Sequence, residues 1–458
     1  MSMRRIPRSA GTALALTLAL AGFPVLAKVT PEQAAALGKT LTPVGAQAGA
    51  NADGSIPPWN GGMTQLGPMF ADYKPGAGGY YPDPFPEDKP LFRIGADNLE
   101  QYAAKLPTGA KRLLAQNKTL YFNVYQTRRT ATYPKAIYDA TIANATRAEL
   151  EGDDGLKNAT LGFPFPMPRS GAEAMINHRV RYRGDSVMLT GTVFVVAANG
   201  KYQLNGFTSA VNFSYANVAK QGGQDDGLVF QLMRRDVSPP RLAGSMTLVW
   251  EYLDGRRDAW QYSPGSNRIR RAPVVAFDNP ISGADGLQNV DQQDMFNGSQ
   301  NRYSWKLLGK KEMYVPYNNY RLVRPELKYA DIIRQGHLNP QHLRYELHRV
   351  WVVDATLKPG QGNVFSRRTF YIDEDSWSVV AVDCYDARGQ LWRYQEGFVL
   401  PLVADKAVVS APQMVYDLFS GRYIVNNLPN EQGFIAKFGQ KFPAGYFTPQ
   451  NLQKLGRS

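Results

Sequence analysis

The chain has 458 residues, of which 12% are aromatic, with 42 glycines, 31 prolines, one cysteine and a net charge of +13. A single cysteine excludes a disulfide-stapled scaffold, and the turn-forming and aromatic content disfavours a helical bundle. The positive charge alone would suit a nucleic-acid binder, so the start of the chain decides which polyanions it meets.

Residues 1–27, MSMRRIPRSAGTALALTLALAGFPVLA, read as a cleavable Sec-type signal peptide. Arg4, Arg5 and Arg8 form the basic start, Ser9 to Ala27 carries no charge, and Val25-Leu26-Ala27 offers the small residues a signal peptidase reads. The uncharged run is near the lower limit of a membrane span, but Gly22, Pro24 and the cleavage pattern favour export. No cysteine stands at the cleavage site, so no lipid anchor is expected. Export places the mature chain in the periplasm, where nucleic acid is not a partner. Lipid headgroups and lipopolysaccharide are the polyanions there. A solvated basic surface accounts for the same charge.

Thr30-Pro31-Glu32-Gln33 carries a capping box and predicts a helix over 28–40. Residues 43–92, with IPPWNGG and YYPDPFPEDKP, read as extended chain draped on a surface, because Trp59, Phe70, Tyr80 and Phe85 need burial. Short helices are expected at 98–105 and 109–116. A further one, capped by Ser170 and Glu173, should run through about His178. From about 188 onward, period-two patterns dominate. Phe207, Val211, Phe213 and Tyr215 share a face, as do Met246, Leu248, Trp250 and Tyr252, and Tyr345, Leu347, Trp351 and Val353. Such alternation predicts an antiparallel sheet with one apolar face and charges on the other.

Turn chemistry fixes two registers. A three-residue loop with Gly255 left-handed sets Leu248 opposite Trp260, Met246 opposite Tyr262 and Glu251 opposite Arg257. The same device at Ala387-Arg388-Gly389 sets Cys384 opposite Trp392 and Val382 opposite Tyr394. Cys384, between apolar neighbours, is expected as a buried thiol.

Catalytic motifs are absent: there is no G-x-S-x-G, H-E-x-x-H, C-x-x-C or phosphate loop. His337, His342 and His348 fit no helical metal face, and His348 falls opposite Trp351 on its strand. The acidic groups at 151–154, at Asp373-Glu374-Asp375 and around Asp285, Asp291 and Asp294 lack calcium-loop spacing and read as solvated turns. Residues 278–298 remain a candidate functional loop. No cofactor or metal is expected.

Several stretches together resemble a known group. DAWQYSPGSNRIRRAP (258–273) and FYIDEDSWSVVAVDCYDARGQLWR (370–393) are similar to hairpins of outer-membrane lipoprotein-sorting proteins. IPPWNGG (56–62), FPFPMPRSGAEAMINHRVRYRG (163–184) and YDLFSGRYIVNNLPNEQ (416–432) resemble a family of large exported proteins, described as a domain of unknown function, in the LolA/LolB-like superfamily. The resemblance implies a mainly β fold: a curved antiparallel sheet forming an incomplete, half-open β-barrel with a few short helices. It divides the chain into the leader 1–27, an extended segment 28–165 packing on the barrel, and a half-barrel domain 166–458. It also implies a cavity for an acyl chain or similar ligand, and work beside an RND-type exporter and an outer-membrane protein.

The expected role is therefore a periplasmic, non-enzymatic carrier of a hydrophobic ligand, acting as a monomer. Leu248, Trp250, Trp260, Tyr262, Tyr303, Trp305, Trp351, Trp392 and Tyr394 are its expected wall, and Arg268, Arg270 and Arg271 its contacts to an anionic headgroup. Two other readings stay open: a structural adaptor of an export complex without cargo, and an envelope hydrolase using His178 or His348 as a base.

Overall fold

A computed structural model describes residues 29–220, 227–272, 278–433 and 435–457. The expected leader at 1–27 lies outside them. Four short strands come first: β1 (Phe92–Gly95), β2 (Tyr121–Val124), β3 (Glu149–Glu151) and β4 (Gly155–Lys157). A first antiparallel meander follows, with β5 (Ser186–Val196), β6 (Tyr202–Asn212), β7 (Leu228–Ser238), β8 (Met246–Tyr252), β9 (Arg257–Ser263) and β10 (Arg268–Arg271). The second meander holds β11 (Tyr303–Pro316), β12 (Tyr345–Leu357), β13 (Arg367–Asp373), β14 (Val379–Tyr385), β15 (Leu391–Leu402), β16 (Ala407–Asp417) and β17 (Tyr423–Asn426), and β18 (Ala436–Phe438) comes after it.

β17 pairs with β5, which joins the two meanders into one sheet running from β11 to β10. β18 pairs beside β17 on the same edge of β5. β2 carries β1 and meets β12 only at Val124 and Tyr345. Among the described residues β10 and β11 do not pair with each other. The fold is therefore mainly β, an incomplete barrel with short helices.

Helix Gly171–Val180 links the two meanders. Ser170 caps it, accepting from the N–H of Glu173 at 3.1 Å. Glu173 returns its carboxylate to the N–H of Arg169 rather than to that of Ser170. Ala174, Met175, Ile176, Asn177 and His178 are all buried, as in an element enclosed by the fold rather than laid upon it. At its start Gly171 lies so close to β11 and β12 that a Cβ there would stand 2.8 Å from Cγ1 of Val353. At its end Arg179 reaches the Glu251 carboxylate of β8 at 3.2 Å and the carbonyl of Tyr252.

The N-terminal capping box forms, but its helix covers only Pro31–Ala34, and the chain then turns through Gly38 at φ 76°. Helix Thr108–Gln116 forms close to its expected place. Helix Lys135–Arg147 was not expected; its buried face mixes Thr141 and Asn144 with Ile137 and Ala145, which blurs an apolar stripe. The draped segment does pack, though of the four expected aromatics only Phe70 is buried and Trp59, Tyr80 and Phe85 are half-buried; Val44, Ile56 and Tyr81 join Phe70 in one hydrophobic cluster with strands as distant as β17.

The first hairpin adopts the expected register, with Leu248 opposite Trp260, Met246 opposite Tyr262 and Glu251 opposite Arg257. The second requires a correction. Asp386 and Gln390 close the three-residue loop, but an irregularity between Cys384 and Tyr385 shifts the ladder by one. Cys384 then faces Arg393, and Val382 faces Gln395. The extra residue turns Arg393 inward, toward Gln292 and the carbonyl of Gly286. Nor is β14 solvated on one side, since every residue from Val379 to Cys384 is buried, whereas β9 and the first half of β11 keep the expected alternation. Cys384 is fully buried, and burial pushes its thiol up to about 12.

Candidate functional site

The hairpin β8–β9 presents Met246, Leu248, Trp250, Trp260 and Tyr262 on one face, extended by Ala210 of β6 and Met233 of β7. The rings of Trp250 and Trp260 meet edge to face with centroids 4.9 Å apart. A neighbouring sheet does not close this face. Helix Pro449–Arg457 and the turn before it do. Thr448 caps the helix, its hydroxyl accepting from the N–H of Asn451 at 3.2 Å, and Pro449 takes the first helical position. Leu452 is fully buried on the aromatic face, and Phe442, Tyr446, Phe447 and Leu455 pack around it. Gly456 touches the Tyr262 ring so closely that a Cβ would stand 2.5 Å from it. Among the described residues, two polar ties join cover and sheet directly. The indole of Trp250 donates to the carbonyl of Phe447 at 2.9 Å, and Arg235 reaches the carbonyl of Leu455 at 3.4 Å.

Strand β10 borders the face. Ile269 pairs with Tyr262 and Arg271 with Trp260, so both share the aromatic side. The Arg271 guanidinium lies 6.0 Å from the Trp260 ring and binds Asp258. Arg268 and Arg270 alternate to the opposite side, and all three arginines are exposed.

The other expected wall residues lie elsewhere. Tyr303, Trp305 and Trp392 belong to a second aromatic group, with Phe296, Phe365 and Phe370, around the fully buried Arg368. Arg368 binds Asp291, which also accepts from Asn363 at 3.0 Å, so loop 278–298 is tied into this interior. Trp351 stacks on Trp377, with the Lys310 ammonium 4.6 Å from its ring. Tyr394 lies under helix Thr108–Gln116 and hydrogen-bonds Glu396. A surface cleft of about 480 Å³, lined by Met69, Asp83, Pro86, Arg321, Arg324, Gln341 and His342, is separate from all of these.

The acidic groups correct a second expectation. Asp373, Glu374, Asp375, Asp291 and Asp154 are buried and bonded, not solvated turns, whereas Glu151 and Asp285 are exposed as expected. His178 has both ring nitrogens engaged, Nε2 with the carbonyl of Asp294 at 2.8 Å and Nδ1 with the N–H of Val379 at 3.1 Å. Burial, aided by Arg181, holds its pKa down at about 3. It fastens helix to loop rather than presenting a free base.

The residues that cover the aromatic face were missed in the sequence, though a signal was there. Thr448-Pro449 repeats the Thr30-Pro31 start pattern, and Leu452 and Leu455 fall three apart on one helix side.

Residues 93–453 match DUF1329, described as a protein of unknown function. The chain belongs to the DUF1329 family. The matched region of this DUF1329 member includes the aromatic face and Leu452. An uncharacterized protein of Pseudomonas aeruginosa is 41% identical over 447 residues, 96% of this chain and 97% of that one. A domain from Vibrio parahaemolyticus assigned to outer membrane lipoprotein sorting covers 62% of this chain and 98% of its own, at 12% identity and a TM-score of 0.43. A DUF1329 protein from Desulfovibrio piger covers 59% and 92%, at 15% identity and 0.38. Among the described residues, no helix is long and apolar enough to cross a membrane.

Proposed function

We propose that this DUF1329 protein is a non-enzymatic periplasmic carrier of a hydrophobic molecule, and that the ligand takes the place of helix Pro449–Arg457 on the aromatic face of β8 and β9. The observation that carries this reading is the cover itself: a short helix seals a continuous apolar face mainly through Leu452, Leu455 and Phe447, with few polar ties. An acyl chain makes the same kind of contact. Burying a dozen methylenes yields roughly 10 kcal/mol gross. Association offsets at least about 4 of that. Displacing the helix consumes part of the remainder, which leaves a binding weak enough for handover to a partner such as an RND-type exporter or an outer-membrane protein. Arg271, beside Trp260, is suited to an anionic headgroup, whereas Arg268 and Arg270 lie on the opposite side of β10.

Native mass spectrometry of the full chain with lauric to stearic acid and phosphatidylglycerol tests the proposal, read alongside quenching of Trp250 and Trp260 by brominated fatty acids. Leu452→Glu loosens the cover and should tighten ligand binding several-fold. Trp260→Asp should weaken it at least tenfold while the protein stays folded. A clean apo mass for both the wild type and Leu452→Glu would sink the carrier reading in favour of an adaptor without cargo.

A further inference from the structure

A group of buried charges separate from the aromatic face lies where β12, β13 and the turn after β13 meet the N-terminal segment. Glu374 accepts from Lys310 at 2.6 Å, from Arg349 at 3.3 Å and from the N–H of Gln47 at 3.2 Å. Asp375 holds Arg129 through both oxygens, at 2.7 and 2.9 Å. Glu346 accepts from Arg344 at 2.5 Å, from Asn318 at 2.9 Å and from the N–H of Arg128 at 2.8 Å. These groups answer one another's charge almost completely.

One point in the group is left open. The Asp373 carboxylate uses Oδ2 to accept from the N–H and hydroxyl of Ser376, at 2.9 and 2.6 Å, but its buried Oδ1 has no hydrogen-bond partner. Nδ1 of His348 faces that oxygen at 3.5 Å, too far for a sound hydrogen bond. The Tyr317 ring stacks on the imidazole with centroids 4.0 Å apart, and its hydroxyl, wholly buried, also lacks a partner. Burial first, then the charges of Asp373 and Asp375, hold the proton on that hydroxyl. Ligand atoms of His348, Asp373 and Asp375 all lie within 4.8 Å of one another.

We infer that the point between His348, Asp373 and Asp375 is a structural site for a divalent first-row cation such as Zn²⁺ or Mn²⁺, with the Tyr317 hydroxyl as a further oxygen donor. Two ligands about 2.1 Å from a tetrahedral cation stand about 3.4 Å apart, which matches the unbonded approach of His348 to Asp373. The other ring nitrogen of His348 contacts Glu346 at 3.1 Å, the carboxylate–histidine arrangement that orients a metal-binding imidazole. One nitrogen with several oxygens suits Zn²⁺ or Mn²⁺ better than a soft cation. Asp375 would be shared between the cation and Arg129. The rival occupant is a proton. Burial works against a charged imidazole, but Asp373 and Glu346 outweigh it and hold the pKa of His348 up at about 9. A proton on Nδ1, however, leaves the Tyr317 hydroxyl without a partner, whereas a cation at this point would take up the open Oδ1 of Asp373 and offer that hydroxyl one. Such an ion would staple β12 and β13 to the turn that grips the N-terminal segment.

The site is closed, so the full chain is unfolded in guanidinium with EDTA and refolded with Zn²⁺, with Mn²⁺ or with neither. It is then desalted, and bound metal is counted by plasma mass spectrometry beside the melting temperature. About one equivalent of one of these metals should be retained, with a rise of several degrees in Tm. Both effects should be lost in Asp373→Asn and weakened in Tyr317→Phe, a variant expected to fold. Less than a tenth of an equivalent in the wild type, or full retention in both variants, overturns the site and leaves a protonated histidine in its place. Neither result depends on whether the aromatic face binds a ligand.

Discussion

Glu396 sits in the middle of β15 with its carboxyl fully buried. Oε1 accepts from the hydroxyls of Tyr345 and Tyr394 at 3.1 and 3.2 Å, Tyr416 also faces the carboxyl, and Oε2 has no well-formed hydrogen bond among the described residues. Burial raises its pKa from 4.5 to about 7, against the opposing pull of the tyrosine hydrogen bonds. Between those two values the Glu396 carboxyl holds its proton in the folded protein and loses it in the unfolded chain, so this residue's contribution to stability falls as pH rises through that window. The loss is on the order of 3 kcal/mol once pH passes 7. Glu396→Gln removes the titration. Urea unfolding at pH 5 and pH 8 should then show a variant more stable than wild type at pH 8 and nearly free of this slope. This residue gave no signal in the sequence, because one Glu among strand residues looks like any solvent-facing one. Asp373 and Asp375 misled for the same reason. Acidic residues beside a turn are usually solvated, and only the fold reveals that Arg129, 246 positions from Asp375, arrives to pair with it.

Individual elements were more legible, wherever local chemistry alone decides them. The Gly255 loop fixed the β8–β9 register because only one pairing keeps Trp260 and Leu248 on the same face. The same logic failed one residue beyond the Gly389 loop, where the interior demand for Arg393 overrides the turn. Caps at Thr30 and Ser170 are local as well, and each forms. What a helix packs upon is not local. Helix Thr108–Gln116 starts with the N–H groups of Thr108 and Gly109 donating to the Asp383 carboxylate of β14, at 3.0 and 2.7 Å. It presses Gly109 onto Tyr394, where a Cβ would stand 2.2 Å from Cδ2 of a ring with nowhere to move. Gly109→Ala should therefore destabilise the protein by about 1–3 kcal/mol despite the better helix propensity of alanine. Chemical denaturation would register it, and a neutral or stabilising result would mean that helix and sheet are not rigidly docked.

Over the whole molecule, the sheet class was readable because period-two patterns recur along more than half the chain. The closure of its faces was not, since it depends on segments distant in sequence. The indole of Trp377 donates to the carbonyl of Val44, and Gln47 donates to Glu374. β17 must pair with β5 before the two meanders become one sheet. Loop closures of this span slow folding, so refolding after a denaturant jump, followed by tryptophan fluorescence, should take seconds rather than milliseconds. The junction at β17 has a further consequence for a chain synthesised from its first residue onward. Until Tyr423–Asn426 has been made, β5 lacks its neighbour on one edge, and the anchors for Val44 and Gln47 become available only about 330 residues after them. Nearly the entire polypeptide must therefore exist before its first third can settle, which keeps the nascent chain pliable through most of its production.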